Sequence, residues 1–235
     1  MTESAANPGF PRLDIPAWID GYSEGQPVGR DEIFVALAAT LSPILPGFRW
    51  FKSTRQFRQD FPGGRAYLCL ERPKQIVVVE FGVTLDAVAA REDRLFDLGI
   101  TRGRPRPVTM MKNSLNIAPH SRTWPHPTWA AWPISGSEGL RRGGAELSDF
   151  VCQIVLPYLH EHKDPAIVRQ TLLSKPRRSD RFGEASLFAI DHLLRRRDWL
   201  DADYESHAQR TVQPEYRERL RTWYDRTVAC WDDPV

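Results

Sequence analysis

Apolar residues recur along this chain with two periods, and the switches between them mark out its parts. Ile33, Phe34, Leu37, Ala38 and Leu41 fall three and four residues apart, which places them on one face of a helix over residues 31–41. Asp31 and Glu32 sit in its first turn, where the helix dipole favours negative charge, and Pro43 and Pro46 end it. The period then shortens to two. Segments 48–53, 56–61, 66–71 and 75–85 are rich in β-branched and aromatic residues, with Pro62-Gly63-Gly64 and Arg72-Pro73-Lys74 as turn signals between the later three. Tyr67, Cys69 and Glu71 alternate with Leu68 and Leu70. Residues 76–81 form an apolar run that predicts a central strand covered by helices on both faces, and Glu80 within it must be paired, protonated or at a solvent end. These strands read as an antiparallel meander.

Residues 86–98 predict a short helix stopped by Gly99. Further short strands are expected within 107–117 and 129–134, joined by an ordered Pro- and Trp-rich loop. Beyond Gly144 the helical period returns: Leu147, Phe150, Val151, Ile154, Val155, Tyr158 and Leu159 predict a helix over 145–162, kinked at Pro157. Shorter helices follow at 165–174, 184–197, 202–210 and 214–231, the first and last opening on Pro, which suits a position needing no N–H donor. No internal period of the kind helical repeats show is present. Pro8, Pro11, Pro16 and Pro27 make residues 1–29 an irregular arm, which Ile15 and Trp18 are expected to pin to the core. The fold class is α+β: an antiparallel β-meander covered by helices, with a C-terminal helical extension. Its parts are the arm (1–29), an α+β core domain (30–163) and the extension packed on that core (164–235).

A chain of 235 residues buries enough surface for one substantial core without metals or disulfides. Three cysteines, Cys69, Cys152 and Cys230, lie far apart on predicted elements, which fits reduced, buried thiols. The first ten residues carry no basic segment followed by an apolar one, and no apolar stretch is long enough to span a bilayer, so a cytoplasmic location is expected. Formal charge is +2, which gives little overall steering toward polyanions; any such site must come from local clustering.

Three groups of residues carry candidate chemistry. His120 and His126 with Trp124, Trp129 and Trp132 occupy the 118–134 loop. The imidazoles suit general acid–base work, but no HExxH helix, Cys pair or flanking carboxylate accompanies them, so no metal or other cofactor is implied. The aromatics suit a recognition surface if exposed, and a loop packed on the sheet if not. Arg102, Arg104 and Arg106 form the first basic cluster, followed by Lys175, Arg177, Arg178 and Arg181, and by Arg195, Arg196 and Arg197. With Lys112 and Arg122 they form a phosphate-binding stripe if they converge; nearby Asp residues make a salt-bridged surface the plainer alternative. His160 and His162 close the long helix, where imidazoles suit the dipole but, two apart, do not chelate. The chain has no GxSxG elbow, Walker loop or GxGxxG turn.

The segment Gly47-Phe48-Arg49-Trp50-Phe51-Lys52, with Phe57-Arg58 and later Phe81-Gly82-Val83, resembles a family of small bacterial α+β domains of unknown function, some of them associated with toxin-immunity genes. Trp132 and Pro133 ahead of the long helix extend the likeness, which covers about residues 30–175. The resemblance implies no catalytic residues. With no catalytic constellation and a Trp-rich loop at 118–134, the expected function is non-enzymatic protein binding, with inhibition of a toxin or effector as one form. Nucleic-acid binding through the Arg clusters is the alternative, and hydrolysis by His120 or His126 with a distant carboxylate a third.

Overall fold

In a computed structural model of the chain, the described residues are 21–72, 76–96, 110–113, 130–174 and 183–233. They form an α+β fold. Helix α1 (Arg30–Leu41) buries Ile33, Phe34, Leu37, Ala38 and Leu41, the residues its spacing predicts, and a 3₁₀ turn (Ser42–Ile44) with Pro43 ends it. Strands β1 (Arg49–Phe51), β2 (Gln56–Phe61), β3 (Gly64–Glu71), β4 (Val78–Leu85) and β5 (Met110–Asn113) follow in one antiparallel sheet, in the order of the chain. Pro62 and Gly63 make the β2–β3 turn. Proline sets the first φ near about −65°, and Gly63 takes the left-handed position at φ +86°, which a side chain would resist.

The register sorts the side chains onto two faces. Trp50 lies opposite Phe57, Phe57 opposite Leu68, Leu68 opposite Phe81, and Leu70 opposite Val79, giving an apolar face. Arg49, Phe51, Arg58, Tyr67, Cys69, Val78 and Glu80 point the other way. Residues 76–81 were expected to be covered on both faces; Val78 and Gly82 of β4, with Tyr67 and Cys69 of β3, are buried on the second face too, while Glu80 and Thr84 there are half-buried. Both α1 and the long helix belong to the apolar side, where Phe81 meets Phe150 and Tyr158 edge-on at 6.3 and 5.2 Å.

That long helix starts earlier than its apolar spacing predicts. Helix α3 (Ser137–Phe150) contains Gly139, Gly143 and Gly144, ahead of the point where the helical period was expected to return; Gly139 and Gly143 here allow close approach. A Cβ on Gly139 would stand 1.9 Å from the Tyr22 carbonyl oxygen. Residues 21–29 are strapped along this end of α3 by the Pro27–Gly136 bridge, Val28 N–H to the Ser135 carbonyl at 2.9 Å, and the buried Tyr22 ring. Ile15 and Trp18 lie outside the described residues. The helix continues through a π segment (Val151–Val155) into α4 (Leu156–Glu161). The expected irregularity at Pro157 thus takes the form of a widened turn, because proline offers no N–H and its ring crowds the carbonyl four residues back.

Helix α2 (Asp86–Leu95) leaves β4 directly and packs against α6 (Gly183–Leu193), which also contacts α5 (Pro165–Ser174), α7 (Arg197–Arg210) and α8 (Pro214–Ala229). Ala185, Leu187, Phe188, Ala189 and Ile190 of α6 are each at most 3 % exposed, and they join the sheet residues in one hydrophobic cluster. Between α5, α6 and α7, Arg169 donates to Asp191 and Asp203, both at 2.6 Å. No helix among the described residues is long and apolar enough to cross a membrane.

Candidate functional site

Strand β1 is the outer strand of the sheet, and its position follows from its neighbours in sequence. The loop after it is held down from β3: the Leu70 N–H donates to the Arg55 carbonyl at 2.9 Å, and the Cys69 thiol reaches the Thr54 carbonyl at 3.6 Å. Burial pushes that thiol up to about 11, with Glu71 adding to it, so Cys69 stays a neutral donor. Arg55 turns the chain at φ +52° and lays its guanidinium over the Phe34 ring of α1, 4.3 Å from its centre. Before β1, Gln59 donates to the Pro46 carbonyl at 3.2 Å. A three-residue strand is thereby fixed at both ends, and only β2 pairs with it among the described residues.

Beside β1 on the apolar side runs an open groove of about 480 Å³, lined by Asp31, Phe34, Val35, Trp50, Lys52, Ser53 and Arg55. Val35 is 51 % exposed although it sits on a helix whose neighbours are buried, and Phe51, on the opposite face of the strand, is 39 % exposed. These are two of the few large apolar side chains that the described residues leave in solvent. Trp50 is half-buried against Phe57, with ring centres 4.7 Å apart, and forms the floor.

Charge around this edge is one-sided. Arg49, Lys52, Arg55 and Arg58 lie on or between β1 and β2. Arg55 has a long contact to the exposed Asp31 at 3.8 Å, while Arg58 donates to neutral partners, Gln56 at 2.9 Å and Thr54 at 3.3 Å. Among the described residues, Arg49, Lys52 and Arg58 have no carboxylate partner. Arg49 and Arg58 are directly opposite each other in the ladder, an arrangement of like charges that weakens a strand pair.

The residues selected from sequence have a different fate. His120, Trp124, His126 and Trp129, with Arg102, Arg104 and Arg106, lie outside the described residues, as do the basic residues at 175–181. Trp132 is described and is a core residue. It is 1 % exposed, exchanges backbone hydrogen bonds with Val77, and meets Phe150 edge-on at 5.7 Å, so its ring offers a partner nothing. Of the third basic cluster, Arg196 pairs with Asp198 at 2.7 Å, Arg197 with Asp201 at 2.8 Å, and Arg195 donates to the Trp231 and Asp233 carbonyls. These guanidiniums are satisfied within the protein. His162 is buried, with Nδ1 on the Tyr158 carbonyl and Nε2 on the Thr171 hydroxyl, both at 2.8 Å. Cys69 is buried as expected, but Cys152, which falls between the apolar positions of its helix, is exposed and Cys230 is half-buried. The edge itself escaped the sequence reading. Its signal was the run Arg49-Trp50-Phe51-Lys52 together with Arg58, and only the hairpin register shows that the two arginines face each other.

No protein-family model matches the chain, and no curated protein or solved structure is detectably similar to it.

Proposed function

We propose that this protein is a protein-binding module that adds an extended segment of a partner to the outer edge of β1. The observation that carries this function is the edge of an anchored strand that no described residue pairs, lying beside an apolar groove. Main-chain groups on such an edge supply affinity, and alternate side chains of the added strand fall into pockets on the two faces, which supplies selectivity. Here Trp50 and Val35 receive residues on one face, and Phe51 those on the other. Inhibition of a toxin or effector by capping one of its strands is the form closest to the family resemblance.

Single-stranded nucleic acid is disfavoured as the occupant. Stacking on bases needs open ring faces, whereas Phe34 is buried under Arg55 and one face of Phe51 is taken by Arg58 at 4.6 Å, leaving Phe51 room for an aliphatic contact at its exposed side. A second copy of this chain is disfavoured too, since pairing two such edges would bring Arg49 and Lys52 against their own counterparts.

Selection from a displayed library of short random peptides tests the function. Peptides that bind the folded protein should lose at least about tenfold in affinity on Val35→Glu, measured by fluorescence polarisation, with the melting temperature unchanged. Selected peptides that bind Val35→Glu equally well would place the binding surface elsewhere.

A further inference from the structure

The charge at this edge specifies the partner's chemistry. We propose that the added segment is acidic, with a carboxylate at the position opposite Arg49 and apolar side chains at the two positions that follow along β1. This rests on strand addition at β1 as proposed above.

The Arg49–Arg58 pair is the central observation. Two guanidiniums opposite one another on a ladder weaken the hairpin, and the described residues supply no carboxylate to offset them. Elsewhere the chain does supply one: Arg65 has Asp60 at 2.6 Å, Arg142 has Glu146 at 3.1 Å, and Arg197 has Asp201 at 2.8 Å. Among the described residues, Arg195 and Arg217 also lack one and donate to backbone carbonyls instead; what sets the β1–β2 hairpin apart is that two such arginines are partners in one ladder. A strand laid against β1 puts one side chain directly opposite Arg49 and on the same face. Arg58 is next in line on that face, held by Gln56 and Thr54. A carboxylate at that position has the Arg49 guanidinium beside it and Arg58 as the next cation on the same face, so it offsets the like charge that the ladder sets side by side. The next partner residue points over the groove floored by Trp50 and walled by Phe34 and Val35, where an aliphatic side chain is dehydrated. The residue after that meets Phe51. Lys52 and Arg55 extend the positive field past the end of the strand, so further carboxylates on the partner speed its capture.

The decisive comparison uses synthetic extended peptides of about eight residues with alternating Val and Thr, carrying one Glu ahead of two apolar residues, and the same peptides with Gln in place of Glu. The Glu peptide should bind at least about tenfold more tightly than its Gln counterpart at about 0.05 M salt, with the advantage shrinking toward about 0.5 M. In the Arg49→Glu, Arg58→Glu double variant the preference should disappear or invert. Equal binding of Glu and Gln peptides, abolished by Val35→Glu, would overturn the acidic partner and leave strand addition standing. Binding of neither peptide, with no selected library peptide sensitive to Val35→Glu, would overturn both. Displacement of the Glu peptide by an oligothymidylate at comparable concentration would assign the edge to nucleic acid and overturn the inference. A double variant that melted early would be replaced by Arg49→Gln, for which the Glu preference should fall several-fold.

Discussion

Glu92 is 5 % exposed where α2 meets α6, and the Ser186 hydroxyl donates to it at 2.5 Å. Burial pushes its carboxyl from 4.5 up to about 7; the Ser186 bond lowers it, and Asp93 raises it. Beyond Asp93 on its own helix, α8 brings Trp223 against Phe96 and the segment after α8 brings Asp233 to Arg94, while Arg91 and Arg94 flank it on α2. The native state holds this proton where the unfolded chain has lost it. Stability from this group is therefore full below about pH 4.5, falls as pH rises toward 7, and stays low above that. The loss is on the order of 3 kcal/mol. Asp191 is raised by burial, with Arg169 opposing and Asp203 adding to it, and acts in the same direction. His192 is lowered by burial and acts in the opposite one, losing stability as pH falls below 6.5. The difference between wild type and Glu92→Gln isolates one group: by urea unfolding, the variant should gain on the wild type between pH 5 and 8, and a pH-independent difference would contradict this. Glu92 was not singled out from sequence. AVAAREDRL carries two acids and two arginines on a short helix, and which of them turns inward depends on α6, almost a hundred residues away. Trp132 failed for the same reason in reverse, because a Trp among prolines looks like a loop residue until Val77 pairs with it.

At the scale of elements, the sequence was informative wherever local chemistry set the boundary. Strand β2 and helix α5 span the predicted residues, since Pro62-Gly63 and Pro165 mark their limits without help from tertiary contacts. Helix α3 was placed eight residues too late because its apolar period starts only beyond Gly144; of its glycines, Gly139 lies against the Tyr22 backbone and Gly143 against Ile134, whereas Gly144 has room. Two substitutions separate helix propensity from close approach. Gly144→Ala meets nothing nearer than 3.6 Å and should stabilise the protein by about 0.5–1 kcal/mol, whereas Gly139→Ala collides with the Tyr22 carbonyl and should destabilise it by about 2 kcal/mol or more. Thermal unfolding of both variants checks the contrast; equal effects would mean that residues 21–29 do not clasp the helix. The meander was legible because turn signals separate β2, β3 and β4. Its register was not, and register is what brings Arg49 and Arg58 face to face.

For the whole molecule, one hydrophobic cluster runs from α1 through the sheet to α8, so the sheet is a rigid platform and β1 a fixed edge upon it. The fold class could be read from the change of period alone. The candidate edge could not, because it depends on what the described residues leave unpaired: an outer strand, a groove beside it, and Arg49, Lys52 and Arg58 without a carboxylate partner. The charge balance of +2 conceals this, since acids and bases cancel over the chain but not along the β1–β2 hairpin. The most direct test of strand addition is backbone amide hydrogen exchange over residues 45–60 with and without a saturating Glu-containing peptide. Slowed exchange within Arg49–Phe51, with the 195–199 and 214–229 segments unaffected, is the expected result; unchanged exchange in β1 despite saturated binding would contradict it.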